Sequence, residues 1–136
     1  MSYFDEEIIK DFKGINTNLV ISPKAKNDEI VNAINENIPF SGSQIAWKLL
    51  KGSIYFGMAT SQATLKSLAE KIKSVSASHV FVVGDATDNA YSINVKDLFP
   101  ALQIFSTIPQ HTYITQENLS WIACISFEGD IDFSTL

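Results

Sequence analysis

Apolar positions recur along the chain with two different periods, and stretches of the two kinds alternate. Phe4, Ile8, Ile9 and Phe12 share one face of a short helix over residues 5–12. Residues 19–22 (LVIS) read as a short strand stopped by Pro23. Asn27 then reads as a helix N-cap, with Asp28 and Glu29 complementing the helix dipole. Ile30, Val31, Ile34 and Ile38 follow at helical spacing up to Pro39. The clearest helix is the next one, capped by Ser61, with Leu65, Leu68, Ala69, Ile72 and Val75 in one stripe.

The other segments carry the period of a strand or break it. Residues 43–50 (SQIAWKLL) predict a helical turn stopped by Gly52, and 54–59 (IYFGMA) are β-prone. Residues 79–83 (HVFVV) are continuously apolar, the pattern of a strand covered on both faces. GDATDN at 84–89 is a turn by composition. Over 91–105, Pro100 either interrupts a helix or opens one at its first turn. Tyr113 and Ile114 suggest a short strand. Residues 119–127 (LSWIACISF) predict the last long one, with Leu119, Trp121, Ala123, Ile125 and Phe127 pointing one way and Ser120, Ile122, Cys124 and Ser126 the other. The expectation is a single domain over 1–136 of the α+β class: a mainly antiparallel sheet of about four to five strands packed against two or three helices.

Composition narrows the function classes. Hydrophobic residues make up 46% of the 136 positions, enough for a real core, and no apolar run approaches the ~20 residues that cross a bilayer. The first ten residues, MSYFDEEIIK, are acidic where a secretory signal is basic, and Cys124 has no second cysteine to pair with. Both observations point to the cytoplasm. The chain has no Arg and ten Lys against fifteen acidic residues, a net charge of −5. That balance repels polyanions, so neither nucleic acid nor an anionic membrane is the expected partner, and a positively charged one is attracted.

Candidate chemistry is sparse. Cys124 lies mid-strand without a helix N-terminus to lower its pKa, and the pattern is that of a small buried residue rather than a nucleophile paired with His79 or His111. No G-x-S-x-G elbow, Gly-rich phosphate loop or zinc spacing occurs. Asp85, Asp88 and Asn89 offer hard oxygen ligands but not the spacing of a calcium loop, and such residues ordinarily hold the backbone of a turn. SFEGDIDFS at 126–134 places Glu128, Asp130 and Asp132 at alternate positions. In an unbroken strand they would share the face of Cys124 and Ser126; alternatively Gly129 marks a turn, and Ile131 and Phe133 pack back on the sheet. A row of acids also discourages edge-to-edge pairing of sheets. No catalytic residue, cofactor or metal site is therefore expected. The alternative class is a small-molecule or divalent-cation binding module built on the same carboxylates.

HVFVVGDATDNAYSINVKDLFPALQIF, PQHTYIT and LSWIACISFEGDIDF, in that order, together with NDEIVNAINENIPF, IAWKLL and IYF before them, span roughly residues 25–134. The layout resembles the small cytoplasmic immunity proteins of bacterial polymorphic or contact-dependent toxin systems. The resemblance implies a non-enzymatic inhibitor that binds one cognate toxin domain and blocks its active site or substrate surface. Many such toxins are nucleases and hence basic, which suits an acidic partner. On this reading Asp85, Asp88, Glu128, Asp130 and Asp132 meet the toxin's cations, and Tyr113 and Trp121 anchor or support the surface.

Overall fold

The computed structural model describes residues 2–136. Its elements are α1 (Tyr3–Lys13), β1 (Leu19–Ser22), α2 (Lys24–Asn37), a hairpin of β2 (Phe40–Ser41) and β3 (Gln44–Ile45), a 3₁₀ turn at Trp47–Leu49, β4 (Gly52–Met58), α3 (Gln62–Val75), β5 (His79–Gly84), β6 (Ala90–Asn94), α4 (Leu98–Phe105), β7 (Thr112–Thr115), β8 (Trp121–Ile125) and β9 (Asp130–Thr135). Seven strands form one antiparallel sheet in the order β1-β6-β5-β7-β8-β9-β4, and β2–β3 stands apart as a second, two-stranded sheet. The class is α+β as expected, but the sheet has seven strands rather than four to five, and four α-helices rather than two or three accompany it. No helix among the described residues is long and apolar enough to cross a membrane.

Most elements follow from the local pattern, and the departures have physical reasons. Ser61 caps α3 by accepting the Thr64 N–H, as its position suggests. α2, however, begins at Lys24 behind an extended Pro23, and Asn27 is a buried residue inside it rather than its cap. The ring of Pro23 presets φ near the value the chain needs there. Residues 43–50 make the expected helical turn only over Trp47–Leu49, as a 3₁₀ segment before Gly52; ahead of it Gly42 at φ +64° reverses the chain, and Gln44–Ile45 pair back as β3. Pro100 lies in the first turn of α4, where its missing N–H has no intrahelical partner to lose. The last apolar run is shorter than its pattern: Leu119 turns the chain at φ +49°, the strand covers Trp121–Ile125, and Phe127 sits exposed on the following turn. Gly129 at φ +95° makes that turn, so the acidic segment returns as β9 beside β8.

Alternation along the strands sorts side chains into two cores. On the first face Val80, Val82, Tyr91, Ile93, Ile114, Trp121, Ala123, Ile125, Ile131 and Phe133 are buried beneath α1, α3 and α4. On the second face Phe81, Val83, Ala90, Tyr113, Ile122 and Cys124 pack with Ile30, Ile34 and Ile38 of α2 and Ile45 of β3. α2 lies against β1, β5 and β6, and Lys26 secures it by sitting 5.2 Å over the Phe81 ring while bonding Glu117. The first face thus has three helices and the second face one.

A buried carboxylate ties α1 to the sheet. Asp5 is fully buried and closes the capping box with Ser2. The same side chain accepts the Asp88 N–H (2.7 Å), the Asn89 N–H (3.2 Å) and the Tyr91 hydroxyl. Burial raises its pKa, but the hydrogen bonds from Ser2, Tyr91, Asp88 and Asn89 outweigh that and hold it below the usual carboxylate value. It therefore contributes stability above about pH 4 that is lost as the pH falls through its depressed folded value. Asp5→Ala leaves two backbone donors and a phenol without their acceptor, and is expected to cost about 3 kcal/mol at neutral pH. The shift of the urea midpoint measures it, and a loss below about 1 kcal/mol would mean that water replaces the carboxylate.

Candidate functional site

The uneven cover of the sheet leaves a cleft on the second face. At one level of the register, Val83, Tyr113, Cys124, Asp132 and Tyr55 run side by side across β5, β7, β8, β9 and β4. α2 covers the start of this row, and Phe40 of the hairpin meets the Tyr113 ring edge-on at 6.5 Å between centroids. Beyond Tyr113 the row opens into a cleft of about 250 Å³, whose lining includes Trp47, Tyr55, His111, Tyr113, Cys124 and Asp132. Asp130 and Ser126 close its end at the β8–β9 turn, where Ser126 Oγ accepts the Asp130 N–H at 3.0 Å.

A bulge aims the edge strand at this cleft. In β4, Tyr55 pairs with Asp132 and Gly57 with Ile131, so Phe56 is an extra residue. Gly57 takes φ +117°, which a side chain would strain. The shift puts Tyr55 and Met58 on the same face, although they are three positions apart. The Tyr55 hydroxyl then donates to Asp130 Oδ1 at 2.8 Å. The Tyr55 hydroxyl also lies 3.7 Å from the Met58 sulfur, and Tyr55, Met58 and, on the β8–β9 turn, Phe127 are large apolar residues left 58%, 40% and 60% exposed.

The opposite wall is held by the turn after β5. Gly84 has no side chain because Gln110 lies against it; a Cβ there would stand 2.2 Å from the Gln110 amide. Gln110 Oε1 accepts the Ala86 N–H at 2.9 Å, and Asp85 Oδ1 accepts the His111 N–H at 3.0 Å. These side chains hold turn backbone, the ordinary role of such residues. His111 Nδ1 accepts the Phe127 N–H at 3.1 Å, which places the hydrogen of the neutral ring on Nε2.

Electrostatically the cleft is one-sided. Every salt bridge among the described residues involves Lys24 or Lys26, so Asp85, Glu128, Asp130 and Asp132 have no lysine within ion-pair distance. Burial, and then the Asp130 charge, push Asp132 up to about 6. Burial, followed by the charges of Asp132, Asp85 and Glu128, also drives the Cys124 thiol upward, so it stays a thiol and not a nucleophile. Tyr113 is 8% exposed, its pKa is raised by burial, and its hydroxyl makes no hydrogen bond among the described residues. No three His, Cys, Asp or Glu side chains among the described residues converge as ligands of a metal ion.

Of the residues singled out in the sequence, the structure brings Tyr113, Asp130 and Asp132 into one cleft. Asp85 supports its His111, and Glu128 lies exposed on the adjoining turn. Asp88 and Trp121 lie elsewhere. Asp88 donates its N–H to Asp5 beside α1, and Trp121 is a first-face core residue stacked on Phe133 with its indole N–H bonded to Gln116. Trp47 and Tyr55 are the aromatics that front the cleft, and no period in the sequence marks them. Comparison with protein-family profiles gives no match, and comparison with curated proteins gives none either.

Asp132 offers a direct test of the one-sided field. Its folded pKa lies above the unfolded value of about 3.9, so folding takes up a proton between these values. The group favours folding most below that window and loses this contribution as the pH rises through about 6. Discounted for its partial exposure, Asp132→Asn is expected to stabilise the protein by about 1 kcal/mol near pH 7.5 and by almost nothing near pH 4. Thermal melts across that range decide it, and a pH-independent difference would sink the idea.

Proposed function

We propose that this protein is an immunity-type inhibitor that acts in the cytoplasm, binds one basic toxin domain and neutralises it by covering its active site or substrate surface. The observation that carries the reading is the cleft itself: carboxylates without lysine partners, lined also by Trp47 and the exposed Tyr55, with exposed Met58 and Phe127 at the same end of the sheet. Exposed aromatic and methionine side chains are the residue types enriched at protein interfaces, and charge complementarity supplies specificity and association rate. At about 250 Å³ the cleft is smaller than the ~300–1,000 Å³ typical of drug-sized ligands. That size favours a protruding side chain of a larger partner over a free small molecule. The raised thiol pKa of Cys124, and the engagement of His111 Nδ1 by the Phe127 N–H rather than by that thiol, also favour binding over covalent chemistry.

Co-expression with the product of the gene immediately upstream tests the proposal. The chain is expected to bind that product and restore growth. Tyr55→Ala combined with Phe127→Ala should weaken binding by about 100-fold or more and abolish protection, while Val20→Ala at the far edge leaves both intact. A chain that neither binds nor protects removes the proposal. Protection that survives the double variant moves the interface to another surface.

A further inference from the structure

The toxin-binding reading leaves open what enters the cleft, and the cleft's own geometry narrows it. Asp130 and Asp132 lie two residues apart on one strand and face the same side, about 6.7 Å apart at the backbone. An ammonium is a compact point charge with three donors, and Lys26 holds two carboxylates only by sitting close to both; a guanidinium presents five donors in a wider planar fork, which suits two carboxylates set apart along a strand. Asp130 Oδ1 is already engaged by Tyr55, which leaves Oδ2 and the Asp132 carboxylate as acceptors. A further acceptor is Tyr113, whose buried ring carries a hydroxyl that no described residue uses. The ring is buried but the hydroxyl opens into the cleft, so it is free to accept from a group that enters there. Trp47, Tyr55 and Tyr113 provide the aromatic surface on which a planar cation stacks better than an ammonium does. Among the other polar groups of the lining, which include Gln44 and Ser126, Nε2 of His111 is a donor and suits the peptide carbonyl beside such a side chain.

We infer that the cleft is an arginine receptor. A single arginine side chain of the partner enters between Trp47 and Tyr55, bridges Asp130 and Asp132 through its guanidinium and donates a further hydrogen bond to the Tyr113 hydroxyl. This rests on the reading of the cleft as the toxin-binding surface, and names the anchor that reading leaves unspecified.

The probes are acetyl-Gly-Arg-Gly-amide and its lysine and citrulline counterparts, titrated into the ¹⁵N-labelled full chain near neutral pH. The arginine peptide is expected to shift the amides of Tyr55, Tyr113, Asp130 and Asp132 with millimolar affinity. Citrulline, isosteric but uncharged, should bind at least about tenfold more weakly, and lysine at least about threefold more weakly. Asp132→Asn should reduce arginine affinity about tenfold, and Tyr113→Phe about threefold without changing that of lysine. Equal affinity for arginine and citrulline, equal affinity for arginine and lysine, or shifts lying outside the cleft each overturn the inference. Titration with the upstream gene product separates this failure from failure of the reading beneath it. If that protein shifts Tyr55 and Phe127 while the arginine peptide shows no preference, only the arginine assignment falls. If it shifts neither, both fall.

Discussion

A strand sends alternate side chains to opposite sides, so a sheet must be covered on both faces or carry groups that tolerate water on the side left open. Here three helices cover one face and one helix with a small hairpin covers part of the other. The apolar row on that second face runs from Phe81 and Val83 through Tyr113 and Cys124, and then gives way to Asp130 and Asp132 where cover ends. The change from apolar to acidic along the row and the end of the covering layer coincide. Everything particular about the surface follows from that boundary.

The cleft is built on strands rather than loops, which fixes its groups more firmly than a surface loop would. Three devices position them: the bulge at Phe56, the left-handed Gly129 and the Gln110 brace over Gly84. Each spends local conformational freedom for placement at the same end of the sheet. Burial of Asp132, and secondarily the Asp130 charge beside it, raise its pKa and oppose folding with the group ionised. A chain under selection for stability alone would put a lysine or an apolar residue there. Groups that cost stability in an open recess are the usual mark of a surface kept for binding.

The sequence was legible wherever one period held for long enough. α3, the two-sided β5 and the split faces of β8 follow directly from apolar spacing. β6 was hidden because its alternation, Tyr91 and Ile93, spans too few residues and runs on toward α4. β9 was left undecided because its outward positions are carboxylates, which read as solvated edge until a cleft is known to face them. The candidate site was half legible. The acids and Tyr113 could be named from composition and position. Tyr55 could not, because simple alternation sets it opposite Met58, and only the bulge brings both to one side. Trp121 misled for the opposite reason: a tryptophan attracts attention as an anchor, whereas alternation had already put it with Ala123 and Ile125 inside.

The position of β9 has a consequence for the order of assembly. It sits between β8 and β4, so β4 has no partner in the main sheet until β9 docks, and Tyr55 lies 75 residues before the Asp130 it contacts. Pairings between such distant segments form late, because the intervening loop must be closed first. Until then there is no row of Tyr55, Asp132 and Tyr113, and hence no recess. On the binding reading proposed above, a partner that grips the cleft would recognise only molecules whose last strand is home, and its grip would be withheld from nascent and partly folded chains alike.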